Sequence, residues 1–281
     1  MANALSPSAK QAWSKFLVKN FDAASVMVPL VNRSVEPDLA NAGDTVNVAK
    51  YGDVTIYNYV IGTDNTVQDV AMTGDTLTLD QQKYYQFVID KIEQAISHLD
   101  LVAGFSKRAM TAMSHTIDDR LLSHYADVDS GNIIGTDVSP ITLTETNVYD
   151  YFLQAGQMLD EDNIPAEGRV AVIDPATKRL ILKSPDFVKA TETGDTAVRK
   201  ATLGEMAGFK VVVSNRIATV SSVKNLMFFT PDLISLAMRI SPDKVETYVP
   251  EKQFGTGIKG LALYGSAVFN PTAGVVLKKG A

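Results

Sequence analysis

The longest regular pattern in the sequence lies in residues 96–125, which read ISHLDLVAGFSKRAMTAMSHTIDDRLLSHY. Apolar or small side chains recur there at steps of three and four residues, at Leu99, Val102, Phe105, Ala109, Met113, Ile117, Leu121 and Tyr125. This spacing is typical of an amphipathic helix, and no proline interrupts it. At about 1.5 Å per residue the segment would form a rod of about 45 Å. The sequence therefore predicts one unusually long helix, because a mean helix has about 11–12 residues.

Extended segments precede this helix. Polar and apolar residues alternate over positions 45–48, and residues 54–61 have the composition of a strand. Residues 62–75 are polar and rich in turn residues, whereas residues 76–90 are extended again. The pattern predicts a long two-stranded hairpin with its tip near residues 62–75.

The predicted hairpin is apolar on both of its faces. A strand that its own domain buries on one face would alternate apolar with polar residues, and an isolated two-stranded hairpin is marginally stable in water. We therefore expect one face to pack against a neighbouring copy of the chain. The candidates for that contact are Tyr57, Tyr59, Ile61, Tyr85 and Phe87.

The N-terminal segment also predicts a contact. Ser6-Pro7 is a helix-start signal, and Trp13 and Phe16 follow at helical spacing on one apolar face. That face must dock either on the core of its own chain or on a neighbour. Trp13 and Phe16 are therefore further candidates for a subunit contact.

The second half of the chain alternates between helical and extended patterns, which predicts the α+β class. Helices are expected at residues 144–160, after Pro175, and at residues 231–239. Strands are expected at residues 169–173, 209–213, 225–229, 244–249, 258–269 and 275–277.

Composition excludes several classes of protein. The 281 residues are 46% hydrophobic and 21% charged, which favours a folded core over disorder. The chain has no cysteine, so disulfides, thiolate zinc sites and cysteine nucleophiles are excluded. The formal net charge is −6, whereas a protein that binds nucleic acid by phosphate neutralisation would be basic. We find no secretory signal and no apolar run that approaches the roughly 20 residues of a membrane span.

A G-x-G-x-x-G pattern occurs at Gly255, Gly257 and Gly260. A dinucleotide-binding turn with this pattern needs a helix after the glycines and an acidic residue about 20 positions further on. Here the glycines precede a strand-like run at residues 261–264, and residue 280 is glycine. The favoured interpretation is a glycine-rich connection into a strand.

No catalytic, cofactor-binding or metal-binding residue is predicted. His98, His115 and His124 fall on the long helix with no two of them four residues apart, and His115 and Asp118, three residues apart, could share a face without a suitable third ligand nearby. The S-x-x-K match that begins at Ser221 lacks its companion motifs. The chain is therefore expected not to be an enzyme.

Over about residues 20–270, the order of these elements resembles the major capsid protein of tailed bacteriophages, with the Hong Kong 97-type fold. The local sequences that carry the resemblance are Gly43-Asp44-Thr45-Val46, Leu77-Thr78-Leu79-Asp80-Gln81-Gln82-Lys83-Tyr84-Tyr85, Gly208-Phe209-Lys210-Val211, Ser214-Asn215-Arg216 and the ending from Phe254-Gly255 through Leu263-Tyr264-Gly265. The resemblance implies an N-terminal arm (1–45), an extended hairpin loop (46–90), a peripheral domain with a spine helix (91–139), an axial domain (140–250) and C-terminal strands that return to the core (251–281).

The resemblance also implies partners and a location. Copies of the chain would form pentamers and hexamers of an icosahedral shell around phage double-stranded DNA, which a container of charge −6 would contact only weakly. A separate scaffolding protein and a portal are expected, a decoration protein is left open, and no membrane is involved. The protein would reside in the virion after assembly in the cytoplasm of the host bacterium.

Two alternatives stay open at this stage. A shell protein of a bacterial nanocompartment has the same fold and differs in enclosing an enzyme. A soluble enzyme or ligand-binding protein that uses the turn at residues 255–260 belongs to a different class.

Overall fold

The computed structural model describes residues 25–35, 45–51, 54–59, 61–62, 64, 67–70, 72–91, 101–184, 204–240, 246–251 and 254–280. The α-helices within these residues are α1 (Leu101–Leu122), α2 (Val148–Glu161) and α3 (Pro175–Lys183). The strands are β1 (Thr45–Tyr51), β2 (Met72–Thr78), β3 (Gln81–Asp90), β4 (Ile133–Ile134), β5 (Val170–Ile173), β6 (Glu205–Met206), β7 (Phe209–Val213), β8 (Thr219–Val220), β9 (Val223–Phe229), β10 (Ile234–Ile240), β11 (Glu246–Tyr248), β12 (Gly255–Val268) and β13 (Gly274–Gly280).

The long helix predicted over residues 96–125 is confirmed by α1. The apolar side chains that α1 buries include Met110, Met113, Ile117 and Leu121. After Leu122 the chain tightens into a 3₁₀ helix at Ser123–Asp127, so the α-helix ends earlier than predicted. Residues 96–100 lie outside the described residues.

Asp118, on α1, anchors the first described residues of the chain. Its buried carboxylate accepts a hydrogen bond from Ser25 Oγ at 2.7 Å and from the backbone N–H groups of Val26 and Met27 at 3.0 and 3.1 Å. Three donors satisfy a carboxylate that would otherwise be costly to bury. Asp118 therefore holds this segment against α1, where Met27 and Val28 join the hydrophobic core.

Strands β1 and β2 form an antiparallel two-stranded sheet, with Thr45 opposite Thr78 and Tyr51 opposite Met72. A hairpin in this part of the chain is confirmed, but its stem lies earlier than predicted. The strand expected over residues 54–61 is wrong, because residues 54–59 form no strand. Their aromatic and β-branched composition favours a strand only where a partner strand is available, since β-propensity depends on context.

The extended segment predicted over residues 76–90 is two strands and not one. The extended segment is interrupted at Leu79, between β2 and β3. Strand β3 then pairs antiparallel with β12 instead of continuing along β1. Leu77 and Leu79 are both buried, in a cluster with Ala237 and Leu263. These two leucines fix the base of the hairpin on one face of the β12 sheet.

Strand β12 is the centre of a four-stranded sheet, with β3 along one edge and β10 and β11 along the other. The helix predicted over residues 231–239 is wrong, because this segment forms β10. Residues 234–238 are all buried, and a mostly apolar run of this kind, interrupted only by Ser235, suits a strand that is covered on both faces as well as a helix. Pro231 begins a single turn, which Leu233 closes by donating its N–H to Thr230 O at 3.0 Å.

The third sheet has the order β4-β13-β9-β5-β7-β6, and β8 pairs with β9. The last strand of the chain, β13, lies inside this sheet between β4 and β9. Helix α2 packs on it through Phe152, whose ring meets Phe228 edge-on at 4.9 Å between centroids. The predicted helix over residues 144–160 is thus confirmed, although it begins at Val148 and not directly after Thr144. One core cluster joins α1, α2 and both larger sheets.

Candidate assembly surface

The loop between β1 and β2, residues 52–71, presents apolar side chains to the solvent; we name it the hairpin loop. Ile56, Ile61 and Val67 are 94%, 88% and 92% exposed. Tyr57 and Tyr59 are also exposed. The three interface candidates in this loop, Tyr57, Tyr59 and Ile61, are therefore all exposed, as a contact with another protein would require.

One hydrogen bond joins described residues on the two sides of the hairpin loop. The backbone N–H of Thr55 donates a hydrogen bond to Gln68 Oε1 at 2.8 Å. The charged residues within residues 54–70 are Asp64 and Asp69, with no basic residue. The loop therefore combines an apolar surface with negative charge.

Tyr85 and Phe87 lie elsewhere, on the face of β3 that packs toward α1. Their rings stack at 6.2 Å between centroids, and Phe87 meets Phe105 of α1 at 5.9 Å. Burial raises the pKa of Tyr85 to about 12. These two side chains pack within their own chain and are not part of the hairpin loop, and their role in a subunit contact stays a prediction. Trp13 and Phe16 lie outside the described residues.

The opposite face of β3 carries Tyr84, which the sequence analysis did not single out. Tyr84 is 78% exposed, whereas Tyr85 points to the other side because side chains alternate along a strand. On the same open face, Tyr248 lies over Gly257 and its hydroxyl is hydrogen-bonded to Gln86. The alternation of β3 is the signal that could have found Tyr84.

The glycines of the G-x-G-x-x-G pattern lie inside β12 and not at a turn before a helix. A Cβ atom on Gly255 would meet the carbonyl oxygen of Ile89, and one on Gly257 or Gly260 would meet a tyrosine ring. Close packing of neighbouring strands and aromatic rings therefore accounts for these glycines, and no phosphate-binding loop is formed there.

Of the histidine candidates, only His124 has hydrogen-bond partners shown among the described residues, whereas Nδ1 of His115 is buried without one. His98 is outside the described residues. His124 is buried, with Nδ1 at 2.7 Å from Asp127 Oδ2 and Nε2 at 2.7 Å from Ser266 Oγ. Serine hydrolases use the same three residue types, but Ser266 lies within β12 opposite Leu236 and not on an exposed turn. The arrangement ties the end of α1 to β12.

Other chemistry-bearing residues are likewise engaged in the fold. The carboxylate of Asp118 is occupied by the segment that begins at Ser25. Ser221 sits in the turn between β8 and β9 with a positive φ of 49°. Among the described residues, no group of three or more His, Asp or Glu side chains is placed to hold a metal ion. No helix in the described ranges is long and apolar enough to cross a membrane.

Comparison with known proteins agrees with this geometry. The sequence profile of the family described as phage capsid protein matches residues 74–277. No curated protein matches the chain. A solved structure from Mycobacterium phage Che8 superposes with a TM-score of 0.76 at 25% identity, covering 90% of each chain.

Two further solved structures share the fold at lower identity. The capsid of cyanophage P-SCSP1u has a TM-score of 0.75 at 17% identity and covers 91% of this chain and 88% of its own. A virus-like particle from Pyrococcus furiosus has a TM-score of 0.59 at 12% identity, with coverage of 95% and 98%. The α+β capsid fold implied by the sequence resemblance is confirmed by these matches. Because the family profile covers well over half of the sequence, the chain belongs to the phage capsid protein family.

Proposed function

We propose that this protein is the major subunit of an icosahedral phage shell, that it assembles into pentamers and hexamers, and that the shell encloses double-stranded DNA. Membership of the capsid family supports a structural role in a virion. The observation that carries the assembly proposal is the apolar surface of the hairpin loop, which includes Ile56, Tyr59 and Ile61.

The energetic argument rests on what covering this loop would gain. Burying an isoleucine or a comparable side chain contributes about 1.5–3 kcal/mol. Ile56, Ile61 and Val67 are close to fully exposed in the single chain, so nearly all of that free energy is available to a contact between copies. A shell repeats the contact in every subunit, which makes assembly strongly dependent on this loop.

The charge of the chain supports a container that binds its DNA loosely. The net charge of −6 and the acidic hairpin loop offer phosphate groups little attraction. By analogy with the tailed-phage capsid proteins that the chain resembles, a separate scaffolding protein and a portal take part in assembly, in the cytoplasm of the host. The protein acts through its surfaces and catalyses no reaction.

Electron microscopy and light scattering of the purified protein test this function. We expect capsomers or closed shells, with or without a scaffolding partner. A protein that stays monomeric under all conditions, with the partner present, would overturn the proposal. The contents of purified shells separate the phage capsid from the nanocompartment alternative, since the first predicts DNA and the second an enclosed enzyme.

A further inference from the structure

A second surface, separate from the hairpin loop, opens beside helix α2. It is a groove of about 440 Å³. One wall is formed by α2 and the other by residues near β5 and the β6–β7 turn. The lining includes Leu153, Gly156, Gln157 and Glu161 of α2, with Arg169 and Ala207 opposite.

The floor of the groove is apolar and is kept low by small residues. Leu153 is 48% exposed although it lies on a helix that packs against the core. A Cβ atom on Gly156 would lie at an ordinary contact distance of 3.7 Å from Phe209. The packing of the single chain therefore does not require glycine there, although glycine weakens a helix relative to alanine.

The opposite rim of the groove also carries a small residue, Ala207. Ala207 has a φ of 50°, in the left-handed region. The following residue, Gly208, has a φ of 80°, so the turn between β6 and β7 has positive φ at both central positions. Asn-Gly is the preferred pair in such a turn. Alanine is less suited to this backbone than asparagine, but it projects less into the groove.

The charges around the groove do not cancel. Arg169 is buried, and its Nη2 donates to Asp160 Oδ1 at 2.7 Å and to Ile164 O at 2.6 Å, so Asp160 neutralises it. Glu161 accepts a hydrogen bond from the neutral amide of Gln157 at 2.8 Å. Among the described residues, no cation forms a salt bridge with Glu161. The groove thus has an apolar floor and one uncompensated negative charge at its rim.

We propose that this groove receives a lysine or arginine side chain from a second copy of the chain; the inference rests on the proposed function. Long basic side chains combine an apolar stem with a charged head, which matches the floor at Leu153 and the carboxylate of Glu161. Such charge complementarity fixes the register of a contact. In a ring of identical copies each contact joins two different surfaces, so a groove on one copy faces another surface of the next.

Thiol protection in assembled shells tests this contact directly. The chain has no cysteine, so Leu153→Cys introduces a single thiol in the groove and Gln154→Cys introduces one on the exposed side of the same helix. The rate of maleimide labelling is measured for both variants in dissociated subunits and in shells. We expect the thiol of Leu153→Cys to react at least tenfold more slowly in shells than in subunits, and the thiol of Gln154→Cys to change in rate by less than threefold.

Each other outcome overturns the inference. Equal reactivity of the residue-153 thiol in subunits and shells would mean that no copy covers the groove. Protection that already exists in dissociated subunits would mean that another part of the same chain covers it. Equal protection at positions 153 and 154 would mean that shell formation hides the helix without a specific contact. If the parent protein forms no shells or capsomers, the proposed function has failed, and this inference fails with it.

Filling the groove gives an independent readout. Gly156→Leu occupies the floor with a good helix former, and Gln154→Leu places the same side chain outside the groove. We expect Gly156→Leu to keep a cooperative thermal transition and lose at least 90% of its shell yield, while Gln154→Leu assembles like the parent. Shells of normal yield from a folded Gly156→Leu protein would contradict the contact.

Discussion

The ring of Tyr85 lies directly over Gly260, in the space that a Cβ atom on residue 260 would occupy. The two residues face each other across β3 and β12. The glycine therefore admits an aromatic ring between the sheet and the adjoining helix α1, where Phe87 and Phe105 continue the aromatic contact. This relationship explains one glycine of the G-x-G-x-x-G pattern by packing.

We expect Gly260→Ala to destabilise the fold by about 1–3 kcal/mol, because the added methyl group must displace a largely buried ring. Urea unfolding at neutral pH measures the change. Gly104→Ala is the matched control: it also adds a methyl group, but position 104 faces open space on α1, so helix propensity should raise stability by about 0.5–1 kcal/mol. A Gly260→Ala protein as stable as its parent would show that the ring moves freely.

Tyr85→Phe should leave stability at neutral pH unchanged or slightly higher, because the Tyr85 hydroxyl is buried without a hydrogen-bond partner among the described residues. Burial raises the pKa of Tyr85 to about 12, above its ordinary value of 10.0. The folded state therefore holds this proton more tightly, and the associated stability is present below pH 10 and lost as the pH rises toward 12. Urea unfolding between about pH 9 and about 12 should show a smaller loss in Tyr85→Phe than in the parent. An equal loss in both proteins would show that ionisation of Tyr85 does not contribute to the loss of stability at high pH.

Asp174 links helix α3 to strands β9 and β13 of the third sheet. Its carboxylate accepts a hydrogen bond from the N–H of Thr177 at 3.0 Å and contacts the ammonium groups of Lys224 and Lys279 at 2.9 and 3.0 Å. Asp174→Asn keeps a good helix cap for α3 but leaves the buried Lys279 without a counter-charge. We expect a loss of about 3 kcal/mol, measured by urea unfolding at neutral pH. A loss below about 0.5 kcal/mol, the size of an ordinary surface substitution, would contradict this account.

The contacts of Asp174 also predict how the stability of the protein depends on pH in acid. Burial raises the pKa of Asp174, but the hydrogen bonds from Thr177, Lys224 and Lys279 outweigh it, so the pKa lies well below its usual value. A lowered pKa gives stability that is present above the unfolded value of about 3.9 and is lost as the pH falls below it. The stability difference between parent and Asp174→Asn should therefore shrink as the pH falls below about 4. A difference that stays constant down to about pH 2 would exclude this linkage.

Excising the hairpin loop separates folding from assembly. Replacing residues 52–71 by Asn-Gly joins β1 to β2 at the pair Tyr51 and Met72 with a turn suited to a two-residue hairpin. We expect a folded core with a cooperative thermal transition and a severe loss of shells, because the exposed apolar residues of the loop are removed while Leu77 and Leu79 stay buried. Circular dichroism reports the fold and electron microscopy the assembly. Normal shells from the excised protein would show that the hairpin loop has no part in assembly.

Sequence patterns predicted the long elements that bury only one of their faces. The stripe of Met113, Ile117 and Leu121 is sufficient to identify α1, and the spacing of Val148 and Phe152 identifies α2. Patterns failed where a segment is covered on both sides. The sequence that forms β10 would suit a buried helix as well as a buried strand, and only its pairing with β12 decides between the two.

The exposure of the candidate contact residues was predicted only in part, for a related reason. Composition identified Tyr57 and Tyr59 as apolar residues without a visible partner, and the structure leaves them exposed. Tyr85 and Phe87 have the same composition, but the break at Leu79 moves β3 to another sheet, where α1 covers them. Such a break depends on contacts with Ala237 and Leu263, which are distant in sequence and invisible to a local pattern.

A cryo-electron microscopy reconstruction of shells assembled from the purified protein tests the central claim most directly. We predict that the hairpin loop lies on a neighbouring subunit, with Ile56, Ile61 and Val67 buried in that contact. Shells in which these three side chains remain as exposed as in the single chain would contradict the account.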